Sequence, residues 1–136
     1  MLEMKNNTLN SEIYLKLHAE CGFKMYEPSD VEIALQGDIF DVVLYEDEKA
    51  IGMGRVIGDG KIVFFLKDVM VSDNYRGKGY GNIIMNEIMK YIRSVACPEA
   101  YVGLMSTPGK EEFYKKFGFI ERPNADFGSG MVMYIE

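Results

Sequence analysis

Val69-Met70-Val71-Ser72-Asp73-Asn74-Tyr75-Arg76-Gly77-Lys78-Gly79-Tyr80-Gly81 decides the fold of this chain. It reads as the end of an apolar strand, a short polar turn, and a glycine-rich lead into a helix over about residues 79–94. Ile83, Ile84, Ile88, Tyr91, Ile92 and Val95 fall at helical spacing and give one apolar stripe. Glycines at alternate positions remove Cβ atoms where the backbone meets something closely. A helix N-terminus offers unpaired N–H groups and a partial positive charge, and Arg76 and Lys78 add two full charges there. A phosphate or pyrophosphate is the expected guest.

Two phosphate-binding folds fit this loop poorly. A dinucleotide fold needs a longer second glycine gap and an early position in a βαβ unit, whereas this loop follows strands that read as antiparallel. A P-loop needs Ser or Thr after a Lys that follows its last glycine, and Asn82 follows Gly81. A plain glycine turn before an amphipathic helix remains open from the loop alone. The pattern Arg76-x-x-Gly79-x-Gly81 after a strand, however, resembles the signature Q/R-x-x-G-x-G/A of the GNAT superfamily of acetyl-CoA-dependent N-acetyltransferases. Further on, Phe113-Tyr114-Lys115-Lys116-Phe117-Gly118-Phe119 resembles that superfamily's second motif. The resemblance covers the chain from about Ala50 onward, and the pair of motifs is far more specific than either alone.

With 136 residues, the chain is expected to form one domain over 1–136 with a real core. Hydrophobic content of 48% and charged content of 26% are those of a soluble globular protein. A net charge of −6 argues against a general nucleic-acid binder and is compatible with a cationic small-molecule substrate. Cys21 and Cys97 make no disulfide framework or zinc spacing, and the single histidine, His18, makes a histidine-based metal site unexpected. No leader pattern opens the chain and no apolar run reaches membrane-spanning length. The expectation is a cytoplasmic protein with two reduced, partly buried thiols and no membrane partner.

Taken in order, residues 1–9 supply a short strand or stay loose. Asn10 or Ser11 caps a helix that ends at Gly22. His18 on that helix reads as a surface or interfacial residue, because nothing acidic or nucleophilic is spaced to work with it. Ser29 and Glu32 have capping-box spacing for a second helix. Three strands are expected over about 39–45, 50–57 and 61–71, with short turns that join antiparallel neighbours. Gly52 and Gly54 permit close approach or a bulge, and Arg55 pairs with an acidic neighbour or faces the acceptor. Lys67-Asp68 interrupts the third, otherwise apolar run, so Lys67 either faces solvent with Asp68 at a bulge or the pair has a function. A buried strand over 100–105 follows the helix and should lie parallel to the third. Thr107 and Pro108 are the expected start of a last helix. Residues 119–122 and 131–135 read as a closing strand pair.

The resemblance implies a mixed α/β sheet, mostly antiparallel, of about six or seven strands with helices on both faces. It implies that the third strand splays at a bulge, so that the main chain of Val69, Met70 and Val71 pairs with the pantetheine arm of acetyl-CoA. Arg76, Gly77, Lys78, Gly79, Tyr80 and Gly81 would then seat its pyrophosphate, with Phe113 from the second motif also at the cofactor. Lys110 either meets a cofactor phosphate or is solvated. Tyr114 matches the tyrosine that protonates the departing thiolate, and a neutral phenol suits that task. Asp68 is placed beside the thioester, where it could take the amine proton through water if burial raised its pKa. The first two helices wall the acceptor pocket in many members, which makes Phe23, Met25, Tyr26 and Glu27 the candidates to touch substrate. The implied activity is acetyl transfer from acetyl-CoA to a primary amine of a small molecule, by direct attack, with no metal. The alternatives are a protein or peptide N-acetyltransferase and a non-catalytic acyl-CoA sensor. A homodimer is suggested by resemblance alone.

Overall fold

The side-chain alternation on one central strand fixes how the sheet is covered. In the computed structural model, which describes residues 1–136, the strands are β1 (Leu2–Asn6), β2 (Phe40–Glu46), β3 (Lys49–Gly58), β4 (Val63–Val71) and β5 (Tyr101–Gly103). They lie side by side in chain order, the first four antiparallel and β5 parallel to β4. Successive side chains on a strand point to opposite faces. On β3, Met53 packs with Tyr14 and Leu17 of α1 (Ser11–Glu20) and with Val31 of α2 (Pro28–Leu35). Its neighbours Gly52 and Gly54 point the other way, at α3 (Tyr80–Val95). A Cβ on Gly52 would lie 2.9 Å from Ile84 Cδ1, and one on Gly54 2.7 Å from Ile88 Cδ1. The two glycines therefore let α3 sit close on the sheet. The expected mixed, mostly antiparallel sheet with helices on both faces is what the chain forms, with five strands instead of six or seven.

That close seating also sets which face of α3 is buried. Ile84, Met85, Ile88, Met89 and Ile92 form it, while Ile83, Tyr91 and Val95 of the expected stripe are half-buried at its rim. Asn10 caps α1 as expected, its Oδ1 accepting from Ile13 N at 2.9 Å. The helix α2 begins at Pro28 with Glu27 before it, so the expected Ser29 cap is not used. Proline's fixed φ suits the first helical position, which removes the need for a cap one residue later.

The chain divides into two compact units, Met1–Leu104 and Met105–Glu136. The first holds the whole sheet. The second holds α4 (Glu111–Lys115) and an aromatic cluster in which Phe113 meets Tyr114 and Phe117 edge-on at 5.0 and 5.4 Å. This helix starts later than Thr107 and Pro108, because Gly109 at φ +88° breaks the helical path between them and Glu111. The expected closing strand pair is not formed. No strand follows β5, and Met131, Val132, Met133, Tyr134 and Ile135 are exposed. An apolar, β-prone run becomes a strand only where a neighbouring strand takes its backbone hydrogen bonds.

Candidate functional site

A bulge in β4 organises the first unit's candidate site. Lys67 pairs with Arg55 and Met70 with Met53, so Asp68 and Val69 together stand opposite the single residue Gly54. Asp68 has φ +56°, a left-handed conformation that places the extra residue of the bulge. Pairing between β4 and β5 covers only Val63–Phe65 with Tyr101–Gly103. Beyond that, β3 is the strand paired with Met70 and Val71. Past Phe65, through Val69, Met70 and Val71, no strand pairs with the side of β4 away from β3, and the Val71 carbonyl accepts from Arg76 Nε and, at 3.5 Å, from Cys21 Sγ.

Val71 leads through Ser72 and a turn of 3-10 helix (Asp73–Tyr75) to the glycine loop. Gly77 and Gly79 have φ +78° and +80°, and no protein atom lies within 4 Å of where a Cβ on either would stand. Gly79 caps α3 with no side-chain hydrogen bond, which leaves the helix N-terminus to a ligand. Arg76 is tethered beside it, Nε donating to Val71 O at 3.2 Å and Nη2 pairing with Asp73 Oδ1 at 3.0 Å. Lys78 Nζ lies 5.5 Å from the Tyr75 ring centre, and Tyr80 donates its hydroxyl proton to Glu46 at 3.1 Å. Two cations, bare glycine backbone and a helix N-terminus fit a pyrophosphate.

Beneath the bulge lies a buried chain of charges, in which Arg55 takes the first of its two expected roles and pairs with acidic neighbours. Arg55 donates from Nε to Asp38 Oδ1 at 2.8 Å and from Nη1 to Asp68 Oδ2 at 2.9 Å. The other Asp68 oxygen meets His18 Nε2 at 3.0 Å, and His18 Nδ1 faces the Lys24 carbonyl at 3.3 Å. Tyr14 stacks on the His18 ring at 4.1 Å, and the Arg55 guanidinium lies over the same Tyr14 ring. His18 is only 4% exposed, so the expectation of a surface histidine without an acidic partner is corrected: the fold brings one from fifty positions away. Burial pushes the Asp68 carboxyl up, but His18, Lys67 and Arg55 more than reverse this and hold it below the usual carboxylate range. Burial and the nearby Asp41 carboxylate push Asp38 up to about 7 against the pull of Arg55. The condition for Asp68 to act as a base, a raised pKa, is not met in this arrangement.

The loop between α1 and α2 carries Phe23, Met25, Tyr26 and Glu27. Phe23, Met25 and Tyr26 are exposed, and the Phe23 ring stands 5.8 Å from that of His18. Cys21 and Cys97 are both partly buried free thiols. No group of three or more acidic, histidine or cysteine residues is placed to hold a metal ion, and no helix is long and apolar enough to cross a membrane. Two surface depressions, of about 480 and 250 Å³, are lined by none of the candidate residues. In the second unit Tyr114 is packed edge-on against Phe113 and Phe119, and burial raises its pKa. Lys110 precedes α4.

A splayed parallel pair that opens behind a bulge into a glycine loop and helix is the architecture of a CoA-dependent acetyltransferase. The acetyltransferase (GNAT) domain matches residues 38–121, and the chain belongs to that family. The crystal structure of SA2161 from meticillin-resistant Staphylococcus aureus is similar with TM-score 0.87 and 36% identity, over 98% of this chain and 100% of that one. The uncharacterized N-acetyltransferase ycf52 of Porphyra purpurea is 26% identical over 95% of this chain and 75% of its own length. Glucosamine-6-phosphate N-acetyltransferase of Arabidopsis thaliana shares the fold, with TM-score 0.74 at 18% identity over 98% of this chain and 99% of that one.

Proposed function

We propose that this acetyltransferase moves acetyl from acetyl-CoA to a primary amine of a small molecule in a ternary complex. The observation that carries the reading is the bulge at Asp68 and Val69, where β4 opens its backbone directly before the positive-φ glycines of the phosphate loop. The main chain of Val69, Met70 and Val71 holds the pantetheine arm as an added strand would, and Arg76, Lys78 and the α3 N-terminus hold the pyrophosphate. The exposed aromatic loop of Phe23 and Tyr26, with Glu27 beside it, suits a small cationic acceptor.

In this reading the amine nitrogen attacks the thioester carbonyl and the new C–N bond forms as C–S breaks. A main-chain N–H of the splayed strand steadies the oxyanion. Tyr114 donates its phenolic proton to the departing sulfur, and the amine proton leaves through water. Asp68 is the carboxylate at the bulge. Its three ion-pair partners, His18, Arg55 and Lys67, and its lowered pKa favour holding Arg55 and His18 in place over taking up that proton.

The test is thiol release from acetyl-CoA with a panel of primary amines and short peptides, together with Tyr114→Phe. Turnover with small amines, and a loss in kcat of about a hundredfold or more in the variant at unchanged acetyl-CoA affinity, is expected. Turnover confined to peptides would replace the acceptor class. An unaltered kcat in the variant would remove Tyr114 as the acid.

A further inference from the structure

One assembly of buried polar groups outside the glycine loop has an end that the proposed chemistry does not use. The chain Asp38, Arg55, Asp68, His18 runs behind the bulge and finishes on a backbone carbonyl, that of Lys24, in the loop between α1 and α2. Neither Met25 nor Tyr26 makes a hydrogen bond within the chain, and the residues after Lys24 are next tied at Glu27, whose carbonyl accepts from Asp30 and Val31. The His18 contact is therefore one of two side-chain ties between this connection and β4, the other being the Cys21 thiol, which donates to Val71 O at 3.5 Å before the exposed residues begin. The His18 ring is fixed on four sides: Tyr14 stacks on it, Phe23 lies against it, and each nitrogen has an acceptor. A carboxylate and a carbonyl only accept, so the ring satisfies both contacts when it carries both protons.

We infer that His18 is a positioning residue that latches the loop of Phe23, Met25 and Tyr26 to the β4 bulge and so sets acceptor affinity. This rests on the acetyltransferase reading, in which that loop faces the acceptor. The glycine loop has its own ties, Arg76 to Asp73 and to Val71 O, and meets the end of α1 at that shared carbonyl through Cys21 and not through His18, so the latch is expected to act at the acceptor end.

The test is His18→Gln, which can still donate to Asp68 but cannot span to Lys24. A rise in acceptor KM of about three- to tenfold is expected, the worth of one hydrogen bond, with kcat at saturating acceptor and acetyl-CoA affinity unchanged. The amide of Phe23, which donates to His18 O at 2.9 Å, should exchange faster with deuterium while those of β4 do not. Equal changes in both substrates' constants, or an unchanged acceptor KM in an active, folded variant, would overturn the latch. If the variant does not fold, the wild-type protein decides. His18 is the single histidine of the chain, so a slowly exchanging Nδ1–H signal is unambiguous. Its presence supports the latch, and an Nδ1 proton in rapid exchange overturns it. If the wild type acetylates no amine or peptide, the acetyltransferase reading fails, and loop exchange and the ring proton still report on the latch.

Discussion

The phosphate loop and the charge chain beneath the bulge put similar chemistry into opposite surroundings. At residues 76–81 the cations are solvated, the backbone is bare, and Arg76 and its partner Asp73 are both more than half exposed. Beneath the bulge, Arg55 and Asp68 make the same kind of ion pair with side chains 8% and 3% exposed. An exposed pair contributes little to stability, whereas breaking a buried one leaves an uncompensated charge in a poor solvent. The first region leaves its cations and backbone uncovered, and the second pairs its charges within the protein. Substitutions in the first should therefore be read in binding, and those in the second in stability.

The largest effect that would break this contrast is that of Asp68→Ala. It removes the shared partner of Arg55 and His18, and a loss of about 3–5 kcal/mol in chemical denaturation is expected. Acetyl-CoA affinity of the folded fraction should change far less, since the cofactor contacts proposed at the bulge are main-chain ones. If stability fell by less than about 1 kcal/mol, the chain would be as solvent-coupled as the loop, and the contrast would collapse.

A smaller effect sharpens the contrast by pH. The Asp38 carboxyl is raised to about 7 from an ordinary value of 3.8. The folded state therefore holds a proton that the unfolded state releases, and this contribution is present below about pH 4 and lost as pH rises through 7. Asp68 shifts the opposite way, so its own contribution is lost only as pH falls below its ordinary range. Asp38→Asn keeps an acceptor for Arg55 but cannot titrate. Between pH 5 and 8 the wild type should lose melting temperature relative to the variant, and parallel curves would show that Asp38 stays ionised throughout.

The two regions also differ in how far they could be read from sequence. Everything that makes the loop is contiguous: strand, turn, glycines, cations and helix occupy residues 69–95. The strands at β2, β3 and β4 were legible from alternation and turns, and Gly52 and Gly54 advertised a close approach that proved to be α3. Asp68 stood out as a charge inside an apolar run. Arg55 was read as pairing with an acidic neighbour or facing the acceptor, and it pairs with Asp38 and Asp68; His18 did not stand out, because it lies fifty positions from Asp68 on a helix whose own spacing offers it no acid. Only the topology brings α1 over the bulge. The C-terminal run Met131 to Ile135 fails for the opposite reason: strand propensity is local, but a strand needs a neighbour.

The smallest stability effect, and the clearest separation of the two regions, belongs to Gly79→Ala. At φ +80° an L residue is strained, which costs on the order of 1 kcal/mol. Nothing in the protein lies within 4 Å of the added methyl, so no packing penalty is added. That methyl stands instead at the bare N-terminus of α3, where the proposed pyrophosphate sits. Acetyl-CoA should bind at least tenfold more weakly, about 1.4 kcal/mol, read by calorimetry alongside a melting curve. Asp68→Ala and Gly79→Ala would then form a double dissociation: stability without binding in one, binding without much stability in the other. Unchanged acetyl-CoA affinity in Gly79→Ala would mean that this glycine serves the turn alone, and that the anion sits elsewhere along the helix end.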